Sequence, residues 1–372
     1  MTSLKFHNVR TTLRHIGLSC VLAGAVCDLA CSASTDLLDT PAAPDQHAQQ
    51  SVLLAITRAD QRLVAVGERG IVLLSDDMAR TWRQARSVPS SVALTAVDFV
   101  DAHDGWAVGH GGVILHSADG GETWERQLDG NLAAGLELQA AQDQVAQGAE
   151  GAQRHLDIAR RWVADGADKP FLDVHFSDAQ HGLAVGAYGM AMLTEDAGAH
   201  WRSVTSELDN RAGLHLYRIV QGDQGVTIVG EQGTVLRASG LGAPFRQVPM
   251  PYHGTWFGAL ELGSGQALVF GLKGNLYRSA DALQWNAVAT RESSSLTAGR
   301  ELQDGSLVLA SEAGRLLRSL DHGEHFAPLP SRDLDGSPIT DLVQATDGVL
   351  VVTGLRGVKR LDTLVMNKEN EL

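Results

Sequence analysis

The most metal-like group of side chains in this sequence lies close to residue 323. His322, Glu324 and His325 fall within four residues, and imidazole and carboxylate groups are common zinc ligands. A zinc site requires three or four ligands held by further hydrogen bonds, and the sequence offers no companion cluster. The three residues follow Ser319 and Asp321, in a turn pattern that the chain repeats elsewhere. We therefore interpret the group as a structural turn and expect neither a metal nor a cofactor.

That turn belongs to a unit that recurs about every 42 residues. Its most complete copy occupies residues 105–124 and reads GWAVGHGGVILHSADGGETW. The paired glycines or their equivalents recur at Gly67/Gly70, Gly109/Gly112, Gly186/Gly189, Gly230/Gly233, Gly271/Gly274, Ser311/Gly314 and Gly354/Gly357. A period of roughly 40–50 residues built from short strands is typical of a ring of blades, because one small sheet cannot bury both faces alone. The seven copies predict an all-β fold, a seven-bladed β-propeller over residues 51–366.

Each repeat is expected to form four short strands, which in the second copy lie at residues 94–100, 105–109, 112–117 and 123–127. The middle two are nearly continuous in apolar residues, as is typical of strands buried on both faces. Joining the first and last blades removes exposed edges. Residues 361–366 are a candidate last strand, and the N-terminal segment 35–50 is a possible closing strand that we favour. Residues 367–372 are left as a C-terminal tail.

The turn after the third strand resembles the Asp-box, the bacterial neuraminidase repeat with the pattern Ser-x-Asp-x-Gly-x-Thr-Trp. Its aspartate is suited to accept hydrogen bonds from backbone N–H groups of the turn, and its aromatic residue supplies an apolar plate against the blade. We assign these residues a structural role. They are Ser75, Asp77 and Trp82; Ser117, Asp119, Gly121, Thr123 and Trp124; Thr194, Asp196, Gly198 and Trp201; Ser279, Asp281 and Trp285; and Ser319, Asp321, Gly323 and Phe326.

Asp-boxes also occur in sialidases, so a glycosidase is the first alternative to weigh. Such enzymes use a tyrosine nucleophile, an acid and an arginine cluster. The chain has only four tyrosines, and the Arg-Ile-Pro signature that opens sialidases is absent. Tyr217 beside Arg218 is the one neighbouring pair of interest, and Tyr188 lies in a glycine-pair turn. We expect no catalytic residues and no enzyme, and retain a carbohydrate-binding or sialidase-like propeller as the alternative.

The variable middle of the glycine-pair turn is the predicted partner-binding site, because these loops meet at one end of a propeller ring. The candidates have mixed chemical character and contain no evident general acid–base pair. They are Arg69, His110, Tyr188, Glu231, Leu272 and Arg356.

Between the second and third copies, residues 130–169 interrupt the repeat. Leu132, Leu136, Val145, Leu156, Ala159 and Trp162/Val163 recur at near-helical spacing, and residues 148–151 (Gly-Ala-Glu-Gly) break the run. This pattern predicts a helical hairpin that ends before Pro170. Two interpretations stay open, a tolerated surface insertion and a lid or arm for a partner.

The N-terminus has the pattern of an export signal. Lys5, Arg10 and Arg14 precede a short apolar run and small residues, which predicts a signal peptide over residues 1–34 and a periplasmic protein. All three cysteines lie in this leader, so Cys27 or Cys31 is an alternative site of lipid attachment. Removing three positive residues and one negative residue changes the net charge from −14 to −16. A domain with this negative net charge repels the phosphate backbone of nucleic acids. We therefore expect no nucleic-acid partner.

The seven-copy unit behind an export signal resembles the photosystem II stability/assembly factor propellers, and most of all their relatives in non-photosynthetic bacteria. The resemblance covers about residues 51–362. It implies a non-enzymatic, exported assembly factor or scaffold that docks on membrane-protein intermediates through an arginine-rich surface. This chain departs there, because it is acidic and its arginines are scattered, among them Arg80, Arg83, Arg86, Arg160 and Arg161. We expect a monomer that binds a membrane or envelope protein, without a membrane span of its own.

Overall fold

The computed structural model describes residues 36–263 and 265–364, and within them the chain forms seven antiparallel β-sheets, two α-helices and several 3-10 turns. The predicted signal peptide and C-terminal tail therefore lie outside the described residues. The all-β prediction is confirmed. Every sheet is a meander in which consecutive strands pair, so each is built from local antiparallel hairpins.

The strands of the first four sheets are β1 Leu53–Ala59, β2 Arg62–Gly67, β3 Val72–Ser75 and β4 Arg83–Gln84; β5 Leu94–Phe99, β6 Gly105–Gly109, β7 Ile114–Ser117 and β8 Glu125–Leu128; β9 Phe171–Phe176, β10 Gly182–Gly186, β11 Ala191–Thr194 and β12 Arg202–Ser203; and β13 Leu216–Gly222, β14 Gly225–Gly230, β15 Val235–Ala238 and β16 Arg246–Gln247. The other three sheets contain β17 Trp256–Glu261, β18 Ala267–Gly271, β19 Leu276–Ser279 and β20 Asn286–Ala287; β21 Leu296–Glu301, β22 Leu307–Ser311, β23 Leu316–Ser319 and β24 Ala327–Pro328; and β25 Ile339–Gln344, β26 Leu350–Gly354 and β27 Gly357–Arg360.

The sheets are arranged in a closed ring. The first strand of each sheet contacts the first strand of the next, and β25 of the seventh sheet contacts β1 of the first. Seven buried apolar clusters lie around the ring, each shared by two neighbouring sheets; one of them combines Leu53 and Leu63 of the first sheet with Val343 and Val351 of the seventh. Burial on both faces explains why second strands such as β6 and β10 are apolar throughout.

Each first strand has a bulge near its start, and in the second, sixth and seventh sheets a threonine at the bulge donates a hydrogen bond to the next sheet. In the second sheet the register shifts between Leu94 and Ala96, which leaves Thr95 outside the ladder. The Thr95 hydroxyl donates to the carbonyl of Phe171 on the third sheet at 2.8 Å. Thr340 at the equivalent position of the seventh sheet donates to the Leu53 carbonyl of the first at 2.7 Å.

Ring closure differs from the sequence expectation. The seventh sheet has three strands, and residues 361–364 form a turn rather than a last strand. The segment 36–50 forms no strand, and its one regular element is a 3-10 turn at Ala48–Gln50, which lies against β27. The Gln49 backbone packs so closely on Gly357 that a β-carbon there would lie 1.8 Å from the Gln49 carbonyl oxygen. Among the described residues no additional strand pairs with β27, so the closing contacts come from packing and from hydrogen bonds that Thr340 and Asp341 make to the first sheet.

Two α-helices lie between β8 and β9, in the segment for which the sequence predicts a helical hairpin. They are α1 Gly130–Ala146 and α2 Ala152–Asp165. The Asp129 carboxylate accepts the backbone N–H groups of Asn131 and Leu132, an N-cap that fixes the start of α1. The predicted apolar face is only partly correct, because Leu132, Val145 and Val163 are exposed, whereas Ala133, Ala134 and Trp162 join the buried cluster between the second and third sheets.

Candidate partner-binding surface

The glycine-pair turns join the second and third strands and lie at one end of the ring, which we call the turn end. In five sheets they are 3-10 turns, at Glu68–Gly70, His110–Gly112, Ala187–Gly189, Glu231–Gly233 and Leu272–Gly274. Gly109 at the entry to one turn is extended, with φ −176°, so backbone freedom does not explain it. A β-carbon there would lie 2.2 Å from the Ala93 carbonyl oxygen, and the close approach of the first strand therefore requires glycine.

Two of the six predicted loop residues are held by ion pairs. Arg69 donates to a carboxylate oxygen of Asp45 at 2.8 Å and thereby ties the first turn to the N-terminal segment. An Arg356 guanidinium nitrogen lies 3.5 Å from the Asp335 carboxylate, at the seventh sheet. Both arginines remain more than half exposed, so these pairs are screened by solvent and contribute little to folding.

Glu231 has a structural role that sequence reasoning missed. Its carboxylate accepts the backbone N–H of His215, the residue that precedes β13, at 2.9 Å. The same contact recurs in two other sheets, where Glu68 accepts from Val52 and Glu312 accepts from Ser295. In each case the glutamate directly follows the first member of the glycine pair or its equivalent, which is Gly67, Gly230 or Ser311. That recurrence is the sequence signal for this backbone contact.

The other three predicted residues differ in exposure. His110 is exposed, Leu272 is half-buried, and Tyr188 exposes 54% of its surface. Tyr188 has φ 57°, an uncommon backbone conformation for an aromatic residue. The equivalent residues Arg69, Gln232 and Lys273 have nearly the same φ, so the conformation belongs to the turn, which places the tyrosine at its exposed tip.

Tyr188 begins a row of rings that runs across three sheets. Its ring meets the His215 imidazole edge-on at a centroid distance of 5.0 Å, and His215 is 6.4 Å from Tyr217. Tyr217 in turn contacts Phe257 on the fifth sheet at 5.5 Å. Tyr217 and Phe257 occupy the bulge positions of β13 and β17 and are half-buried. The structure therefore brings the predicted Tyr188 together with aromatic residues that were not predicted as a set.

The inner strands carry a group of charged side chains that the sequence did not indicate as a cluster. Arg218 on β13 lies 3.7 Å from the Asp173 carboxylate on β9 and 3.8 Å from the Asp341 carboxylate on β25. Burial raises the pKa of Asp173 to about 6, although the Arg218 charge opposes this shift. Asp173 also accepts the Ile219 backbone N–H at 2.7 Å, and Asp341 accepts that of Ile56 at 3.1 Å. These carboxylates thus join neighbouring sheets, which is a structural function.

The Asp-box residues form compact hydrogen-bonded turns at the opposite end of the third strands. In the second sheet, Asp119 accepts the Thr123 backbone N–H at 2.9 Å and the Thr123 hydroxyl at 2.7 Å. Ser117 donates to Asp119 and accepts the Gly121 N–H at 2.8 Å. Burial alone would raise the pKa of Asp119. The hydrogen bonds from Thr123 and Ser117 together have the larger effect, so the pKa lies below the ordinary aspartate value. Trp124 is buried and donates its indole N–H to the Gly121 carbonyl at 2.9 Å.

The metal-like group of the sixth sheet belongs to one of these turns. Among the described residues, Asp321, Glu324 and His325 bring one potential ligand atom each within 4.8 Å of one another. The Asp321 carboxylate already accepts from the Ser319 hydroxyl at 2.7 Å and the His325 N–H at 2.9 Å. His325 stands where Thr123 stands in the second sheet, and its ring meets Asp321 at 2.7 Å. Its contacts therefore repeat those of the Asp-box threonine.

Comparisons with solved structures define the fold class as a β-propeller. The structure is similar to the WD40 β-propeller domain of Doa1, with a TM-score of 0.58 and 11% identity over 89% of this chain and 97% of that one. It is also similar to YCF48 from Cyanidioschyzon merolae, with a TM-score of 0.59 and 15% identity over 85% of this chain and 96% of that one. A third similar structure, YCF48 bound to D1 peptide, has a TM-score of 0.62 and 16% identity over 84% of this chain and 94% of that one.

Sequence comparison identifies the family. The model described as "Photosynthesis system II assembly factor YCF48" matches residues 46–147 and 156–333, more than half of the chain, and the chain belongs to this family. The photosystem II assembly lipoprotein Ycf48 of Synechococcus sp. (strain CC9902) is 28% identical over 159 residues, which cover 41% of this chain and 47% of the relative. The chain thus spans about half the length of the curated relatives that it matches. The predicted family resemblance is confirmed.

Within residues 36–263 and 265–364, neither helix is long and apolar enough to cross a membrane.

Proposed function

We propose that this protein is a non-enzymatic assembly factor, a seven-bladed propeller whose turn end binds a segment of a membrane or envelope protein. The observation that carries the proposal is the family match over residues 46–147 and 156–333. One of the structures similar to this protein has a D1 peptide bound, which favours a polypeptide as the ligand. The similarity between the two proteins, at 16% identity, is one of fold. The seven sheets correspond to the blades, and α1 and α2 to an insertion between the second and third blades.

We place the ligand at the turn end because the exposed aromatic ring is there. Tyr188 protrudes from its turn, and the row that it begins leads to the half-buried Tyr217 and Phe257. Aromatic rings supply large apolar contact area at low entropic cost and are enriched where proteins bind one another. Arg69, His110, Leu272 and Arg356 would surround this site, and Glu231 would support it through His215.

The proposal includes export of the protein to the periplasm by residues 1–34. The relatives from Synechococcus are named lipoproteins, which favours an envelope location and makes lipid attachment at Cys27 or Cys31 a second form of export. Mass spectrometry of the purified mature protein distinguishes the two, because cleavage near residue 34 removes all cysteines, whereas a lipoprotein retains one with added acyl mass.

The test is cross-linked capture of the mature protein from its own envelope fraction, with two matched variants. Tyr188→Ser removes the exposed ring at the turn end, whereas Leu320→Ser removes an even more exposed apolar side chain, 70% exposed, from an Asp-box turn. The proposal expects one membrane protein that Tyr188→Ser reduces and Leu320→Ser retains. Equal capture by both variants would contradict the turn-end site.

A glycan array and an aryl-glycoside screen test the carbohydrate alternative with the same protein. Saturable glycan binding that Tyr188→Ser abolishes, without capture of any membrane protein, would replace the scaffold proposal. The similar Niastella koreensis GH74 enzyme, at 11% identity and a TM-score of 0.59, supports only the shared fold.

A further inference from the structure

The exposed ring of Tyr188 lies beside a cluster of charged side chains at the base of the hairpin. The Lys169 ammonium lies 5.9 Å from the centre of the Tyr188 ring and 5.7 Å from that of Trp162, distances at which a cation is attracted to an aromatic face. Lys169 is buried, whereas Tyr188 exposes more than half of its surface. One positive charge of the chain therefore lies against this ring, and much of the ring stays open to solvent.

The carboxylates around Lys169 outnumber its single positive charge. The Lys169 ammonium donates to Asp168 at 2.6 Å and to Asp165 at 3.0 Å, and these two side chains are 56% and 50% exposed. Burial alone would lower the pKa of Lys169. The hydrogen bonds and charges of the two aspartates have the larger effect, so the pKa lies above the ordinary lysine value and the ammonium keeps its charge. Two carboxylates around one ammonium leave an excess of negative charge beside the Tyr188 ring, on groups that solvent reaches.

Carboxylates also outnumber cations at the next ring of the row. The Glu231 carboxylate lies 4.0 Å from the imidazole of His215, the ring that meets Tyr188 edge-on. The loop that borders the Tyr188 turn carries one exposed carboxylate, Asp209, and one exposed guanidinium, Arg211, so its charges balance. The groups around the exposed ring thus carry an excess of negative charge.

Such a surface fits a ligand that brings both an apolar body and a positive charge. The face of an aromatic ring carries a negative potential, and a guanidinium stacks on it well because it is planar and weakly hydrated. Half-exposed carboxylates beside the ring can accept charge-assisted hydrogen bonds from the same guanidinium. A ligand with acidic or phosphorylated groups is instead repelled by these carboxylates.

We propose that Tyr188, Tyr217, Phe257, Asp165 and Asp168 form a docking site for a basic polypeptide segment, and we call this surface the acidic aromatic strip. An arginine of the segment stacks on the exposed Tyr188 ring and faces the two carboxylates. A nearby apolar residue of the segment covers the half-buried Tyr217 and Phe257. This inference rests on the proposed function, in which the turn end binds a polypeptide, and it adds the charge of that polypeptide.

Isothermal titration calorimetry of the mature protein with two synthetic octapeptides tests the charge of the ligand. One is acetyl-GSRLRFSG-amide, and the other carries citrulline in place of both arginines, which keeps the shape of the side chains and removes their charge. The arginine peptide should bind about threefold more tightly or better, as expected for one cation–π contact or one exposed ion pair. Its affinity should fall with added salt, because the carboxylates are exposed. Equal affinities, or no binding of either peptide, would overturn the proposal.

Three variants of the whole protein locate the contact. Tyr188→Leu keeps an apolar side chain but removes the aromatic face, and it should weaken binding of the arginine peptide about threefold. Asp168→Asn should have a similar effect, since it removes one carboxylate while Asp165 still faces Lys169. Asp178→Asn removes a carboxylate of matched exposure, 55%, from the loop between β9 and β10 at the opposite end of the third sheet, and it should leave binding unchanged. Thermal unfolding verifies the fold of each variant, and equal affinities in all three would contradict the strip.

The capture experiment separates this inference from the proposed function. If Tyr188→Ser reduces capture of a membrane protein while Asp168→Asn captures as much as Asp178→Asn, the turn-end site stands and the basic ligand is refuted. If the arginine peptide binds and responds to the variants but no membrane protein is captured, the acidic aromatic strip stands and the proposed function fails.

Discussion

The Arg218 guanidinium lies 3.8 Å from the Asp341 carboxylate, although the two residues belong to the fourth and seventh sheets of the ring. The same guanidinium is 3.7 Å from Asp173 of the third sheet. Asp341 further accepts the backbone N–H of Ile56 on the first sheet. The Arg218 guanidinium thus lies beside two buried carboxylates that join neighbouring sheets, one of them at the ring closure.

Arg218→Met should destabilise the protein, because it removes the guanidinium that lies within 4 Å of both the Asp173 and the Asp341 carboxylates. We expect a loss of about 2–3 kcal/mol in the free energy of unfolding, at the lower end for a broken buried pair because the Arg218 side chain is 30% exposed. Urea unfolding at neutral pH measures this loss. The matched control, Arg211→Met at an exposed position, should change stability little; equal losses in the two variants would refute the role of Arg218.

The raised pKa of Asp173 predicts an unusual pH dependence. Its value of about 6, against an ordinary 3.8, means that the folded state binds its proton more tightly than the unfolded state. Asp173 therefore lowers stability as pH rises from about 4 to about 6, by up to about 3 kcal/mol. Asp173→Asn removes this contribution and can still accept the Ile219 N–H. The difference in unfolding free energy between variant and wild type should grow over that pH range, and a constant difference would contradict the prediction.

Removal of an Asp-box carboxylate should loosen its turn. Asp119→Ala deletes the acceptor of four hydrogen bonds, from Ser117, from the Thr123 backbone and hydroxyl, and from Arg86, and we expect a loss of about 1–2 kcal/mol. Thr123→Val deletes only the hydroxyl bond and should cost less. Because hydrogen bonds lower the Asp119 pKa, its contribution is present above the ordinary aspartate pKa and is lost as pH falls. Unfolding curves at about pH 7 and pH 3.5 check both points, and equal losses in both variants would be evidence against the carboxylate.

Two glycine-to-alanine substitutions should act in opposite directions. Gly109→Ala places a β-carbon 2.2 Å from the Ala93 carbonyl oxygen, so the first strand must move and stability should fall by about 2 kcal/mol or more. Gly135 lies within α1, where a β-carbon meets no atom within 4 Å. Gly135→Ala should therefore stabilise the protein by about 0.5–1 kcal/mol. Thermal unfolding of both variants measures the contrast, and similar shifts would contradict the packing argument.

The sequence predicted the parts of the fold that depend on local pattern. The second copy shows this well, because β6 begins and ends at the predicted Gly105 and Gly109, and β5 matches its predicted start at Leu94. The apolar runs reveal strands buried on both faces, and the glycine pairs mark the turns between them. The closure of the ring was less predictable, since the segment 36–50 contains a 3-10 turn at Ala48–Gln50 where a closing strand was expected.

The candidate site was predicted only in part, because a turn position does not reveal what its side chain contacts. Tyr188 and His110 are exposed as a loop position suggests, whereas Glu231 accepts a hydrogen bond from the His215 backbone. The contact between the Glu137 carboxylate on α1 and the His155 imidazole on α2 also escaped prediction, because residues 18 positions apart come together only once the hairpin has formed.

By itself, the sequence determined the repeat, the all-β class, the Asp-box turns and the family, because each depends on residues close together in the chain. Tertiary structure alone decided how the ring closes, which carboxylates share Arg218 and which rings follow Tyr188. The physical reason is distance along the chain: Asp173, Arg218 and Asp341 are far apart in sequence and become neighbours only when seven sheets bury their faces against one another around a common centre.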